Sequence, residues 1–264
     1  MGSPRHDYHV HSDYSDGTDA ATMIETAERL GLDGIGFADH VLISHPEKRD
    51  QHGYPMDISA IPDRHDELER LREQTDVRIF EAVEIDYYPF DEEAIDAFLI
   101  EHQFEYVIGS VHELGRYHPD EPTPSVHHND EDFFEGKSEV DRMTVIDRYF
   151  DRVVRLIESN LVDVIAHLDL IERNPALRGL TTDEHYHAVA AALAEGDAIP
   201  EINGTSVTDD WPVLPRRRCF EILREYDIQF VRGSDAHGTA SLETRNDRID
   251  RWADRHDISF HTIA

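Results

Sequence analysis

Lysine is almost missing from this chain. Only Lys48 and Lys137 occur among 264 residues, and Lys plus Arg total 25 against 57 Asp plus Glu, for a formal net charge of −32. A surface of that sign repels phosphate backbones, so a long nucleic acid is not an expected partner. Cys219 is the sole cysteine. It can form no intramolecular disulfide, and ligation of a metal by several thiolates is excluded. No apolar run approaches the roughly 18 residues of a transmembrane helix, and Met1 to Val10 lacks the apolar stretch of a signal peptide. A soluble cytoplasmic protein with no membrane partner is expected; the sequence leaves its oligomeric state open.

Apolar residues make up 39%, below the usual share. Acid has replaced them. Disorder is one reading of so much charge, but apolar periodicity persists along most of the chain. The other reading is a surface suited to concentrated salt. At about 1 M salt the Debye length falls to about 3 Å, which screens surface self-repulsion. A salt-adapted source is expected, a halophilic microbe with a salty cytoplasm.

Short apolar runs alternate with helical patterns. Strands are predicted at Asp7 to Val10, Gly34 to Ala38, Arg78 to Ile85, Tyr106 to Val111, Val162 to Ala166, Ala198 to Ile202, Ile228 to Val231 and Ile258 to Thr262. Helices are predicted between them. The first runs from about Asp19 to Leu30, with Met23, Ile24, Ala27 and Leu30 on one face, Thr18 or Asp19 at its start and Gly31 at its end. A long loop, Glu113 to Ser138, has a length that is often functional. This alternation implies parallel strands joined by helical crossovers. The expected fold class is α/β: one domain over 1–264, a TIM-like barrel of seven or eight units, with an open doubly wound sheet as runner-up.

The polar residues gather at the predicted strand ends. They read His9-Val10-His11, Asp39-His40, Glu84-Ile85-Asp86, His112, His167-Leu168-Asp169, Glu201-Ile202-Asn203 and Ser234-Asp235-Ala236-His237. In a parallel barrel all C-terminal strand ends meet at one face, where active sites sit. A lone histidine at a strand end is more often a satisfied structural residue. Six of the 18 histidines at equivalent places are hard to read that way. His9 and His11, like Asp235 and His237, differ by two and so face the same way on a strand. Imidazole with carboxylate suits Zn, Mn or Fe. The surplus of ligands implies two or three divalent ions with open positions, polarising a phosphoryl oxygen and activating water. Glu84 could bridge two of them.

These segments resemble the PHP (polymerase and histidinol phosphatase) superfamily. The matching stretches are His9-Val-His11-Ser-Asp-Tyr-Ser-Asp16-Gly17-Thr18, Gly36-Phe-Ala-Asp39-His40, Glu84-Ile-Asp86-Tyr-Tyr-Pro89, Gly109-Ser-Val-His112, Ala166-His167-Leu-Asp169 and Gly233-Ser-Asp235-Ala-His237. They run in order over roughly residues 7 to 240. The resemblance implies a distorted (β/α)7 barrel with a trinuclear site. It implies one metal on His9, His11, Glu84 and Asp235, a second on Glu84, His112 and His167, and a third on Asp16, His40 and His237. A hydroxide bridging the metals would attack phosphorus, and Glu84, His112, Asp235 and His237 are the residues taken as catalytic.

The Glu-x-Asp-Tyr-x-Pro stretch and the length resemble the histidinol-phosphatase type, which implies hydrolysis of L-histidinol phosphate in histidine biosynthesis. One departure stands out. In those enzymes the sixth strand leads through Asn and small residues to a basic residue near the phosphate, whereas Asn203 to Asp210 here holds no Lys or Arg. Arg216, with Arg217 and Arg218, is a possible substitute or the basic first turn of a surface helix. Arg116 and Lys137 are further candidates, or ordinary surface residues. Asn203 and Ser206 are candidate substrate contacts, or satisfy loop backbone. Asp39 and Asp169 either orient ligand histidines or hold a turn. The expected partner is a small phosphorylated metabolite. The alternatives are a phosphoesterase acting on nucleotides or oligonucleotide ends, and a non-catalytic metal-binding or polymerase-accessory domain.

Overall fold

The structure is a computed structural model that describes residues 4–43, 53–114, 125–126, 131–206, 208 and 210–263. Seven strands form one parallel sheet in sequence order: β1 (His6–Val10), β2 (Gly34–Val41), β3 (Arg78–Asp86), β4 (Tyr106–Ser110), β5 (Val164–Ile165), β6 (Ile199–Asn203) and β7 (Val231–Gly233). The barrel closes just beyond β7, where Asp235 N donates to His9 O at 2.7 Å and His11 N to Ala236 O at 3.0 Å. The expected barrel is therefore present, and the open sheet is not.

Helices α1 (Ala20–Leu30), α2 (Ile61–Arg72), α3 (Glu92–His102), α4 (Glu131–Glu135), α5 (Glu139–Glu158), α6 (Asp183–Glu195), α7 (Arg217–Glu225) and α8 (Thr239–His256) complete the fold. The local signals explain their ends. Asp19 caps α1 through Thr22 N, and Gly31 ends it at φ 65°, a left-handed cap that costs glycine little. Apolar positions of α5, including Ile146, Phe150, Val153 and Ile157, bury one face. Helices cover the strands, so β2 is buried at every position.

The last predicted strand, Ile258 to Thr262, is not formed. That segment instead crosses beneath the barrel, with His261 N on Phe230 O at 2.8 Å and Ile263 N on the Tyr8 hydroxyl at 2.9 Å. Its alternating pattern reflects packing on the barrel floor. The long loop holds the short helix α4, and its residues 115–124 and 127–130 lie outside the described residues.

A bulge in β1 sets up the site. Asp7 pairs with Ile35 and Val10 with Phe37, so Tyr8 and His9 together oppose Gly36. Bulges re-aim side chains in this way. Tyr8 packs with Phe80 and Tyr106 in the barrel interior, and its carbonyl accepts from the Tyr106 hydroxyl. A Cβ on Gly36 would stand 1.8 Å from that hydroxyl, so the plug needs glycine there. His9 and His11 then point up toward the polar mouth.

Candidate metal centre

Glu84 lies at the centre of the mouth, fully buried near the end of β3. Its two oxygens face different imidazoles. Oε2 lies 3.2 Å from His9 Nε2, 3.7 Å from His11 Nε2 and 2.9 Å from His40 Nδ1. Oε1 lies 3.2 Å from His167 Nε2 and 3.6 Å from His112 Nε2. Asp235 Oδ1 stands 3.4 Å from His11 Nε2 and 3.7 Å from His237 Nδ1. Asp16 Oδ1 stands 3.4 Å from His237 Nε2 and 3.9 Å from His40 Nε2. All nine expected ligands thus converge, from β1, β2, β3 and the segments after β1, β4, β5 and β7.

The donors form three groups able to surround an ion: His11, Asp16, His40 and His237; His9, His11 and Asp235; and His40, Glu84 and His112. Both nitrogens of His11, Oδ1 of Asp16 and Nδ1 of His167 are buried without a hydrogen-bond partner among the described residues. Leaving such groups unsatisfied costs about 1–3 kcal/mol each. A cation held between them removes that cost, so the donor set fits divalent metal.

The electrostatics agree. Burial works against the charge of Glu84, but His40, His9 and His112 outweigh it and hold the pKa well below the usual carboxylate range. Asp235 is held low in the same way, by the close approach of His11 and the charge of His9. Burial and the neighbouring His237 and His40 push His11 down to about 3, so it stays neutral. Burial also opposes protonation of His9 and His40. The carboxylates of Glu201 and Glu84 outweigh it at His9, and Glu84 raises His40 to about 10. Both rings thus hold their protons more tightly than a free imidazole does. Metal binding would displace them.

Two of the nine candidate ligands carry strained backbone: His167 has φ 23° and Asp235 φ 55°. Positive φ is uncommon outside glycine, and such strain gathers at functional sites.

The mouth opens into a cavity of about 410 Å³, lined by Asp16, His40, His112, His167, Asp235 and His237 together with Tyr54, Glu113, Ser125, Leu170, Arg173 and Arg245. That volume suits a small metabolite.

A PHP domain model matches residues 7–203. The chain belongs to the PHP family. Among its relatives is a protein of Deinococcus radiodurans named a probable histidinol-phosphatase, 30% identical over 224 residues that cover 81% of this chain and 78% of that one. Two solved structures share the PHP fold. A candidate histidinol phosphatase (hisK) of Listeria monocytogenes superposes with a TM-score of 0.75 at 21% identity, covering 89% of this chain and 96% of that one. The histidinol phosphate phosphatase of Lactococcus lactis, complexed with zinc, L-histidinol and phosphate, gives 0.69 at 18% identity, covering 97% and 94%.

Around this PHP centre the expected substrate contacts fare differently. Arg216 does not line the metal cavity. Its backbone N donates to Asp169 Oδ2 at 2.7 Å at the start of α7, and its side chain borders a separate cavity with Glu172 and Trp211. Arg217 and Arg218, in the first turn of α7, are exposed, while Arg216 is half-buried at the turn before it. Lys137 sits over the Phe133 ring at 4.3 Å, also off the cavity wall. Asn203 is buried, with its amide on Glu201 Oε1 at 2.7 Å and Asp235 Oδ2 at 3.4 Å. It supports ligand residues from behind the wall. Ser206 is not on the wall of this cavity either, and Arg116 lies outside the described residues.

The two doubtful aspartates hold turns. Asp39 accepts from Ser12 N at 2.7 Å, Ser12 Oγ at 2.8 Å, Ser15 Oγ at 2.8 Å and Arg64 Nε at 2.7 Å. The acids that orient candidate ligand histidines are Glu201, on His9 Nδ1 at 2.9 Å, and Asp86, on His112 Nδ1. Asp86 also accepts from the Tyr54 hydroxyl. Both acids stand in the strand-end segments, but sequence alone did not assign them this role. Arg173 and Arg245, the arginines on the wall among the described residues, carried no strand-end signal at all.

Proposed function

We propose that this chain is a metal-dependent phosphomonoesterase that hydrolyses a small phosphate ester, with L-histidinol phosphate the leading substrate and L-histidinol and phosphate the products. The observation that carries this reading is Glu84, whose two oxygens face separate imidazole sets. That is the arrangement of a bridging carboxylate. The resemblance to a probable histidinol-phosphatase of similar length favours the substrate.

Two or three divalent ions, Zn, Mn or Fe, would polarise phosphoryl oxygens and lower the pKa of a bound water to about 7. The residues that would hold them are His9, His11, Asp16, His40, Glu84, His112, His167, Asp235 and His237. Glu201 and Asp86 would fix the rings of His9 and His112 by accepting hydrogen bonds from their Nδ1–H groups, which leaves each Nε2 as the lone-pair donor. Arg173 and Arg245 set positive charge on the cavity wall beside these residues. The ester itself would enter the cavity of about 410 Å³.

No described helix is long and apolar enough to cross a membrane. The net charge of −32 supports a cytoplasmic protein of a halophilic microbe, acting as one catalytic unit over 1–264.

The test is phosphate release by purified protein in high salt with Mn or Zn, from histidinol phosphate and from a panel of other phosphate esters and nucleotides. Histidinol phosphate should give the highest kcat/KM. Turnover of nucleotides with none of histidinol phosphate would reject the substrate, and no turnover of any ester at full metal loading would reject the activity.

A further inference from the structure

Arg245 enters the metal cavity from α8, an outer helix that packs against α1. Gly204, in the loop after β6, admits it. A Cβ on Gly204 would stand 2.6 Å from the Cβ of Arg245 and 3.2 Å from Ser234 O. Real side chains do not approach that closely, so a larger residue at 204 would displace Arg245.

The guanidinium is fixed along one edge. Nη1 donates to Ser234 O at 3.1 Å and to Asp235 O, and lies 3.7 Å from Asp235 Oδ2. Among the described residues, all hydrogen bonds of this side chain leave from Nη1. Among the described residues the donors on Nε and Nη2 have no hydrogen-bond acceptor, on a side chain that lines the cavity. Arg173 lines the same cavity. Burial lowers the pKa of Arg173, Asp235 opposes the shift and the positive charge of Arg245 adds to it. Both guanidinium groups thus set positive charge on the wall of one cavity, which favours an anion there. The loop after β6 itself brings no cation, reading Asn203-Gly-Thr-Ser206.

We propose that Arg245 is a substrate-binding residue that hydrogen-bonds a phosphate oxygen of the ester from α8, and that Gly204 is the residue that lets it do so. The anchored edge holds the fork in place, and the open edge matches tetrahedral phosphate oxygens. This rests on the phosphate-ester reading above only for the identity of the anion.

The test uses metal-loaded full-length protein and inorganic phosphate as probe, with binding followed by calorimetry, which needs no turnover. Arg245→Met should weaken phosphate binding about 10- to 100-fold, the scale of a lost charge-assisted contact. Arg245→Lys, which keeps the charge without the fork, should fall between. KM for the ester should rise in parallel while metal content stays at the wild-type value. Gly204→Ala should weaken phosphate binding with Arg245 still in the chain, and it decides the matter if Arg245→Met does not fold. Phosphate binding within about twofold of wild type in the folded variants overturns the proposal. So does a loss that merely follows lost metal, which would make Arg245 a tether for the 234–235 backbone. Absence of phosphate binding by the wild-type protein overturns it as well. Failure of the hydrolase reading shows separately, as absent turnover by a wild-type protein that still binds phosphate.

Discussion

Glu201 accepts from His9 Nδ1 at 2.9 Å across 192 residues of sequence, and its other oxygen accepts the backbone N–H of His167 at 2.9 Å. One buried carboxylate thus fixes a ring and a main chain on two strand ends. Such outer partners raise ligand basicity and typically contribute 10- to 100-fold in metal affinity or activity. Glu201→Gln keeps the shape and removes the charge. It should lower metal affinity or kcat by about 10- to 100-fold, as read by metal titration and by turnover of a phosphate ester. Unchanged affinity and rate would remove Glu201 from this role.

Arg64 joins α2 to the barrel. It is fully buried and donates to Asp39 Oδ2 at 2.7 Å, Phe37 O at 2.7 Å and Ala82 O at 2.8 Å. Removing one partner of a buried ion pair strands the other charge, at a cost of about 3–5 kcal/mol. Arg64→Met should lose stability on that scale in denaturant unfolding. A loss below about 1 kcal/mol would show that water replaces the guanidinium, since exposed pairs contribute only that much.

His65 gives a pH signature away from the candidate metal centre. Its hydrogen bond and charge attraction to Glu81, at 2.7 Å, raise its pKa above the ordinary 6.5. A raised folded pKa means that the folded state holds the proton more tightly. The stabilisation is therefore complete below the unfolded pKa and is lost as pH rises through the folded value. An NMR titration should place His65 above 6.5, and Glu81→Gln should bring it down. A value at or below 6.5 in the parent protein would contradict the pairing.

The net charge of −32 makes stability depend on salt. Like charges on the folded surface repel at low ionic strength, and about 1 M salt shortens the Debye length to about 3 Å. The Tm should rise steeply from dilute buffer to molar NaCl. A flat or falling Tm would remove the salt-adapted reading.

The convergence of the nine candidate ligands was legible in the sequence because strand ends of a parallel barrel meet wherever the helices fall. Topology alone brings His9 to Glu84 and Asp235 to His11. Sequence adjacency served less well for the substrate contacts. Arg216 follows the loop after β6, yet it starts α7, which leaves the mouth. Arg245 is far from that loop in the sequence, yet α8 returns it over Gly204. Which residues a returning helix delivers depends on its packing angle, which no local pattern encodes. The bulge at Tyr8 and His9 was also invisible, since it exists only in the pairing with Gly36. The tail from Ile258 showed strand alternation but no ladder, because a single apolar face fits a barrel floor as well as a sheet.

The most direct test of the centre is a crystal of metal-loaded protein measured by anomalous scattering, with elemental analysis of the same sample. Two or three ions per chain are expected, with carboxylate oxygens of Glu84 at about 2.0–2.2 Å from two of them and His11, His167 and Asp235 among the remaining ligands. Fewer than one ion per chain, or ions bound only away from Glu84, would contradict the assignment.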